Sequence, residues 1–515
     1  MSRLRALLDW LENTSDRVSP IVVKEVRQAV RGREFHYSFG ISLLVGLMVA
    51  FFGAADALTG SGTSGGWTFA ALMGCLTLLG LAVVPLGAFS ALRNERLEQT
   101  LELITLTALS PRRVVMGKLL AQGVKLATLF AALAPFMAMS FLLGGIDFGT
   151  ILIALPVLFM WSMWACAACI FLSSLLKTRA MSGLVLGGVA MLLFLFLVVF
   201  GLPRVLFMVM TRGAFGGGAV FGVGMPGSQS WWGLIIATAS CLVTMANLVL
   251  LAENRLSLPT ENRVTALRVG FLVQFLLIVA VTLSFINEAP LVRSNAGGAL
   301  GVLGGLHLAL VAMFTLTEDL VVPRRVLLRM NAAGRWRPVI AMFRPGGGRG
   351  AIYVLAQMAV FLAAGWLLRP GWVSFRWFLA VCGYICFFSG LPVAVFRFLS
   401  PGRAASFQLR VALLVMLSVA LVLPDILYYV LWQPAAFDLK FAGRHLLNPI
   451  RTLANWRLVE ANHGFAVPVL VEMIGLLAYF ALIHLGIRMT VQPAQVDPLS
   501  PTAAAPEPGS ANIIY

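Results

Sequence analysis

Charged side chains are scarce in this sequence, and their scarcity excludes an ordinary soluble domain. Asp, Glu, Lys and Arg make up 11% of the 515 residues, whereas 60% are hydrophobic. Soluble domains carry roughly 25% charged and about 45–50% apolar residues. Apolar runs of about 20 residues, the length that crosses ~30 Å of hydrocarbon, recur along the whole chain. The composition therefore predicts an integral membrane protein.

Residues that would support catalysis or nucleotide binding are also missing. No G-x-x-x-x-G-K-[ST] loop occurs anywhere, so the chain cannot bind a nucleotide in the P-loop manner. The five histidines are scattered from His36 to His484, whereas a membrane enzyme needs His, Asp or Glu clustered at one membrane face. We therefore expect a non-catalytic protein without a cofactor. If ATP drives it, another subunit hydrolyses the ATP.

Cysteine and glycine motifs are better explained by structure than by chemistry. All six cysteines lie within apolar runs, which indicates small buried hydrophobic side chains. Cys166-x-x-Cys169 has the spacing of a redox or zinc pair, but no second cysteine pair or nearby histidine completes a site on that segment. The glycine-rich stretch 346–350 matches a phosphate cradle, yet a basic linker ahead of a membrane span is the favoured interpretation.

The apolar runs predict an all-α integral membrane protein with about twelve transmembrane helices. Lys and Arg test this arrangement, because cytoplasmic loops should hold the excess. With both termini in the cytoplasm, about 28 of these residues fall inside and about nine outside, as expected for an even number of spans in the cytoplasmic (inner) membrane. The predicted spans are 36–56, 67–91, 119–143, 149–175, 180–202, 231–252, 266–287, 298–317, 350–368, 376–396, 409–431 and 466–487.

This arrangement divides the chain into four regions. Residues 1–35 form a cytoplasmic interfacial region, 36–265 a six-span domain, 266–490 a second six-span domain, and 491–515 a tail whose Pro and Ala content predicts disorder. The charge of +17 does not indicate nucleic-acid binding, because Lys and Arg lie between apolar runs as a topology signal.

Two features predict details of the packing in the second half. Gly297, Gly301 and Gly305 recur at every fourth residue, which is typical of a helix that packs closely against its neighbours. The outside loop 432–465 is long enough to hold a short re-entrant or interfacial helix.

Ahead of the first span, PIVVKEVRQAVRGREF is predicted to form a basic amphipathic helix that begins at Pro20. Its apolar residues share one face and its basic residues fall toward the other. Such a helix leading into a span is typical of an element in the cytoplasmic membrane interface; an ordinary solvated helix is the alternative. The interfacial residues are Lys24, Glu25, Arg27 and Arg31.

Ionisable residues within spans mark ion or proton pathways by default, because a charge at the bilayer centre is costly. The candidates are His307 near the middle of the eighth span, Asp425 toward the outer end of the eleventh, and Glu472 inside the twelfth. They keep an ion- or proton-coupled secondary transporter open as an alternative function. That class usually has a richer polar set and inverted repeats, which are not evident.

The polar stretch RNERLEQTLELITLTALSPRRVVMGK, residues 93–118, separates two apolar segments. At about 100° per residue, Leu97, Leu101 and Ile104 share one side of a helix, while the glutamates share another. Pro111 then marks a new helix start, and basic residues up to Lys118 anchor the third span. Two interpretations fit this pattern: a solvated connector, or a docking surface for another protein.

The spacing of this stretch resembles the ABC transporter permeases of the type 2 exporter class. Those proteins show, between spans two and three, a pattern close to E-R-x-x-G-T-L-E-x-L-x-x-T-P-L-S followed by G-K. Gln99 stands where Gly is usual and Ala108 where Pro is usual. Residues 1–265 are similar to one complete permease, including the interfacial helix and the ending AENRLSLPTENR. The matching residues are Glu95, Arg96, Thr100, Leu101, Glu102, Leu103, Thr107, Leu109, Ser110, Gly117 and Lys118.

The resemblance implies a permease subunit of an exporter that couples to ATP hydrolysis through a cytoplasmic docking helix. Its expected partners are a separate P-loop ATPase subunit, a second permease (an identical copy or a sister chain) and membrane lipid, with no nucleic acid. A subunit that transmits force or acts as a scaffold is a further alternative. The implied docking residues are Glu95, Arg96, Glu98, Thr100, Leu101 and Glu102.

Overall fold

The structure, a computed structural model, is built from helices, and its described residues include no strand. The chain divides into two compact units, Met1–Pro259 with Val269–Gln274, and Thr260–Arg268 with Phe275–Tyr515. The residues described are 20–58, 64–97, 111–144, 148–175, 228–256, 262, 264–318, 342–399, 409–410, 413, 415–417, 419, 448–454, 456 and 466–491.

The first unit is a bundle in which one long helix, α5, packs against six others. This helix has 32 residues, and its Leu126, Leu129, Leu133 and Met137 are completely buried. Apolar side chains at this spacing form a continuous buried stripe along a helix. The helices are α1 (Pro20–Arg31), α2 (Arg33–Leu58), α3 (Ser64–Leu78), α4 (Val84–Leu97), α5 (Pro111–Leu142), α6 (Phe148–Leu175) and α7 (Ser228–Leu256), with a π-helical turn at Leu79–Val83 between α3 and α4.

In the second unit, α11 packs against α9, α10, α12 and α13. Glycines permit its closest approach to α13: a Cβ on Gly475 would lie 2.7 Å from the backbone nitrogen of Phe387. The remaining helices of the chain are α8 (Thr265–Leu283), α9 (Pro290–Leu316), α10 (Gly347–Leu368), α11 (Trp372–Leu399), α12 (Pro449–Ala454) and α13 (Ala466–Val491).

Eight helices among the described residues are long and apolar enough to cross a membrane, and each coincides with a predicted span. Helix α7 covers the predicted span 231–252, and α13 contains a shorter apolar stretch, Val469–Leu485, within the predicted span 466–487. The predicted span 180–202 and most of 409–431 lie outside the described residues. The all-α membrane architecture is confirmed, whereas the number twelve stays a prediction.

The glycine ridge of α9 makes the close packing that its spacing predicts. A Cβ on Gly301 would overlap the six-membered ring of Trp377, and a Cβ on Gly305 would lie 3.0 Å from the side chain of Val381. Both neighbours belong to α11. The absence of side chains on this ridge therefore lets bulky residues of α11 lie directly on the backbone of α9.

The short helix α12 lies within the predicted outside loop 432–465 and packs on α11. The indole N–H of Trp377 donates to the carbonyl oxygen of Leu453 at 3.0 Å, and the buried Trp456 packs against Ala380. Trp377 and Ala380 lie about two turns inside a membrane-spanning helix. The loop thus holds a short helix set against α11, and its re-entrant or interfacial position stays a prediction.

The ridge leads to a first testable prediction. Gly301→Ala places a methyl group where the indole of Trp377 now lies, so the free energy of unfolding should fall by about 1–3 kcal/mol, the usual cost of overpacking. Gly40→Ala is the matched control, because the space around a Cβ on Gly40 is open. Thermal unfolding in detergent measures both variants. Equal melting temperatures for the two would contradict the close packing.

Candidate functional site

Three charged side chains from separate segments of the first unit meet near the end of α4 and the start of α5. Lys118, near the start of α5, is 2% exposed, and its Nζ lies 2.7 Å from Oε1 of Glu95 and 3.3 Å from Oε2 of Glu25. Glu95 belongs to the last turn of α4, and Glu25 to the middle of α1. One ammonium group therefore joins α1, α4 and α5. We call these three residues the lysine triad.

Burial makes the lysine triad costly to break. An ammonium group that leaves water loses hydration worth several kcal/mol, and only opposite charge at short range compensates for it. The two carboxylates supply that charge, and their side chains are themselves only 12% and 18% exposed. Because two carboxylates face one ammonium, removing the lysine would leave two poorly hydrated like charges close together.

Helix α1 has the two faces that its sequence predicts. Glu25 is the exception among its charged residues, because it turns inward to Lys118 and leaves only cations and Gln28 on the outer face. The position of α1 in the membrane interface stays a prediction. The exposed residues are Lys24, Arg27, Gln28 and Arg31, and the half-buried ones are Val22, Val23, Glu25, Val26, Ala29 and Val30.

The predicted docking residues lie at the edge of the described chain. Arg96 belongs to the last turn of α4. The sequence predicts Glu95 as part of an acidic face toward another subunit. In the structure, its carboxylate contacts Lys118 of the same chain. The acidic face of the docking hypothesis therefore depends on the glutamates after α4. Glu98, Thr100, Leu101 and Glu102 lie outside the described residues.

A second charged site, in the second unit, lies where α8 and α10 begin and α9 ends. The fully buried Arg268 donates to the carbonyl oxygens of Met342 (2.5 Å), Arg344 (2.8 Å) and Gly346 (3.2 Å), and to Oε2 of Glu318 (2.5 Å). The backbone N–H of Gly346 donates to the same carboxylate oxygen at 3.2 Å. The loop before α10 thus wraps around one guanidinium.

The electrostatics of Glu318 follow from this enclosure. Burial raises the pKa of the Glu318 carboxyl above its ordinary value, while the guanidinium of Arg268 and the N–H of Gly346 oppose that rise. Gly346 has a φ of 125°, which side chains rarely tolerate. A Cβ on Gly350 would lie 2.6 Å from the carbonyl oxygen of Thr315. A tight turn therefore accounts for Gly346, and close packing accounts for Gly350.

Two more arginines reach the end of α9 from other segments. Arg397, near the end of α11, is 5% exposed and donates to the carbonyl oxygen of Glu318 at 2.7 Å. Arg410 donates to the hydroxyl of Thr317 at 2.8 Å and lies over the ring of Phe314. We call the resulting group the arginine cluster. Its members are Arg268, Arg344, Arg349, Arg397, Arg410 and Glu318.

The candidate intramembrane polar residues occupy helix–helix contacts. The buried ring of His307 stacks on Phe275, with centroids 5.7 Å apart and planes 19° apart. The side chain of Glu472 lies directly over the backbone of Gly383 on α11. Asp425 lies outside the described residues. Within the described part of the chain, no three His, Cys, Asp or Glu side chains are grouped to hold a metal ion.

Sequence reasoning missed the pairing of Arg268 with Glu318 and the burial of Lys118. All three lie next to apolar runs, where basic residues are the ordinary topology signal. Arg268 and Glu318 are 50 positions apart, and Lys118 is 93 positions from Glu25, so no local pattern joins these pairs. One signal was present: Glu318 is an acid directly after a span, on a side of the membrane where the sequence otherwise places excess Arg.

The apolar helices and the charged sites at their ends define an α-helical, multi-pass membrane protein. Comparisons with protein-family models, with curated proteins and with solved structures find no match to this chain. A specific function must therefore be inferred from the residues themselves.

Proposed function

We propose that this chain is the transmembrane (permease) subunit of an ABC-type exporter in the cytoplasmic membrane, with both termini in the cytoplasm. It has no catalytic residue of its own, and a separate P-loop ATPase subunit hydrolyses the ATP. The observation that carries the proposal is the contact between Glu95 and Lys118. These residues stand at the two ends of the motif shared with type 2 permeases, and the structure pairs them at 2.7 Å.

That contact gives the motif a mechanical role. Residues 98–110 connect the end of α4 to the start of α5, and the lysine triad clamps those two ends to each other and to α1. A displacement of residues 98–110 would therefore move α1, α4 and α5 together. Because α5 packs against each of the six other α-helices described in the first unit, it is the element best placed to pass the displacement into the membrane.

The acidic residues of the connection define the partner surface. Glu98 and Glu102 offer charge for Lys or Arg on the ATPase, which favours correct docking and orientation. ABC exporters work with two permease halves, so the chain pairs with an identical copy or with a sister permease. Both arrangements place two ATPase subunits beneath the membrane.

Charge reversal within the connection tests this proposal. Glu102→Lys should leave membrane insertion and abundance unchanged but lower recovery of a P-loop ATPase with the tagged chain at least about tenfold, because like charges then face each other at the docking surface. Affinity purification in mild detergent followed by mass spectrometry measures the recovery. The matched control is Glu34→Lys, an exposed glutamate of α2 outside the connection.

Two results would contradict the proposal. The first is recovery of the wild-type chain without any P-loop ATPase under several gentle detergent conditions. The second is equal ATPase recovery with Glu102→Lys and with Glu34→Lys, which would remove the docking role from residues 98–110.

A further inference from the structure

A cationic surface lies where α1 leads into α2. One residue separates the two helices, and four basic side chains on either side of it are exposed. None of the four forms an ion pair within the described part of the chain. The exposed acid beside them is Glu34, so four formal positive charges against one leave an excess of three. The basic residues are Lys24, Arg27 and Arg31 on the outer face of α1, and Arg33 at the first position of α2.

The apolar face of α1 is already covered by the protein itself. Helix α1 packs along α5, its Val30 contacts the core of the first unit, and Glu25 turns inward to Lys118. An interfacial helix usually buries its apolar face among acyl chains. This helix instead turns a cationic face outward, so its contact with a membrane must be made with headgroups.

An exposed apolar stripe on α2 begins at the same junction. At about 100° per residue, the side chains of this stripe and of Arg33 fall within about 80° of one another around α2. Helix α2 is a candidate span, and outward side chains of a span are suited to contact with acyl chains. Arg33 therefore lies at the headgroup end of an apolar stripe on its own helix. The stripe consists of Tyr37, Ile41, Leu44, Met48 and Phe51, which are 69%, 60%, 58%, 54% and 69% exposed.

We propose that the junction of α1 and α2 binds an anionic phospholipid, with Arg31 and Arg33 as ligands of its phosphate group. The Cα atoms of these two residues are at most about 7 Å apart, so both guanidinium groups can reach one phosphate. Each guanidinium carries N–H donors in a rigid fork that matches phosphate oxygens. Basic segments next to a span attract anionic leaflets for the same electrostatic reason.

The stripe on α2 favours a lipid over an acidic soluble protein as the occupant. From Arg33 to Phe51 it extends about 27 Å along the helix, which is the depth of a hydrocarbon core and beyond the reach of a soluble partner. A lipid uses both parts of the surface, because its phosphate faces the arginines and its acyl chains lie on the stripe. The proposal concerns lipid binding alone and does not depend on a role in ATP-driven export.

Photo-crosslinking from the stripe tests the proposal. The photoreactive residue p-benzoylphenylalanine replaces Tyr37 in the full chain, which is reconstituted with equal amounts of phosphatidylglycerol and phosphatidylcholine. Mass spectrometry should find adducts with phosphatidylglycerol at least about ten times as often as adducts with phosphatidylcholine. Adding Arg31→Gln with Arg33→Gln should lower that ratio below about threefold, whereas Arg31→Lys with Arg33→Lys should keep most of it because the charge remains.

The control is the same photoreactive residue in place of Phe51. Phe51 has the same exposure as Tyr37 and lies on the same stripe, but about 21 Å from it along the helix, so its adducts should reflect the equal lipid mixture. Equal adducts of the two lipids at position 37, or the same excess of phosphatidylglycerol at both positions, would overturn the proposal. An excess at position 37 that survives the two glutamine substitutions would also overturn it. So would adducts at position 37 mainly with a second copy of this chain, since protein would then cover the stripe.

Discussion

Replacing Lys118 with methionine should lower the free energy of unfolding by about 3 kcal/mol, as expected when one partner of a buried ion pair is removed. The substitution keeps the volume and the aliphatic stem, so the loss comes from charge. It removes the ammonium group that lies between the carboxylates of Glu25 and Glu95, whose side chains are only 12% and 18% exposed. Thermal or denaturant unfolding in detergent measures the effect.

The acids of the lysine triad provide the decisive comparison. If the loss arises from stranded charge, the triple variant Lys118→Met, Glu25→Gln, Glu95→Gln should recover more than half of it, because replacing a whole buried ionic group is often nearly neutral. Lys24→Met is the control, since Lys24 is exposed on the outer face of α1. A triple variant as unstable as Lys118→Met alone would assign the loss to packing instead of charge.

Replacing Arg268 with methionine should cost the second unit a similar amount, about 3–5 kcal/mol. The change strands the carboxylate of Glu318 and removes the donor from the carbonyl oxygens of Met342, Arg344 and Gly346. The loop before α10 should then separate from the end of α9. Limited proteolysis between α9 and α10, together with the melting temperature, reports that separation.

The pH dependence of Arg268→Met has a defined sign. Burial already raises the pKa of Glu318, and Arg268 is the principal group opposing that rise. Without Arg268, the folded-state pKa lies further above the unfolded value, so the folded protein binds the proton more tightly. The penalty is therefore present above the folded pKa and is relieved as the pH falls through it.

The melting temperature of Arg268→Met should consequently rise toward that of the wild type on acidification from neutral pH. The double variant Arg268→Met, Glu318→Gln should lose this pH dependence, while remaining less stable than the wild type because the carbonyl oxygens still lack their donor. Persistence of the same pH dependence in the double variant would show that Glu318 is not the titrating group.

Local patterns predicted the elements that depend on local physics. Pro20 and Pro111 mark helix starts because proline fits the first turn, and both helices begin at those residues. The faces of α1 follow from a period of 3.6 residues, and its exposure pattern agrees. The packing of the glycine ridge of α9 was predictable for the same reason, because glycine at every fourth residue mainly serves to let two helices approach closely.

Long-range pairing explains what the sequence did not disclose. The sequence predicts Lys118 as an anchor at the membrane surface, yet Lys118 is buried because Glu25 and Glu95 approach it from α1 and α4. In the sequence, Arg268 is one basic residue near a predicted helix start. In the structure, the carbonyl oxygens of Met342, Arg344 and Gly346 accept hydrogen bonds from it. Counting Lys and Arg in the predicted loops treats all of these residues alike. Only the three-dimensional structure distinguishes those that contact acids from those that face solvent.

The two charged sites also suggest how a largely apolar chain fixes its helix ends. In each unit, one buried cation gathers segments that are distant in sequence, at the side predicted to be cytoplasmic. Burial of apolar surface alone does little to favour one helix position over another within a bilayer, because lipid tails are as apolar as the side chains they replace. We expect the buried ion pairs to add that preference, because each joins particular positions on different segments.

Site-specific photo-crosslinking at position 102 in intact cells tests the central claim most directly. A photoreactive amino acid in place of Glu102 should yield adducts with a protein that contains a G-x-x-x-x-G-K-[ST] loop, identified by mass spectrometry. The same amino acid in place of Thr63, in a predicted outside loop, should yield none. Adducts at position 102 that contain only lipid or other parts of this chain, with the protein inserted at normal abundance, would contradict the assignment of this chain as an ABC permease subunit.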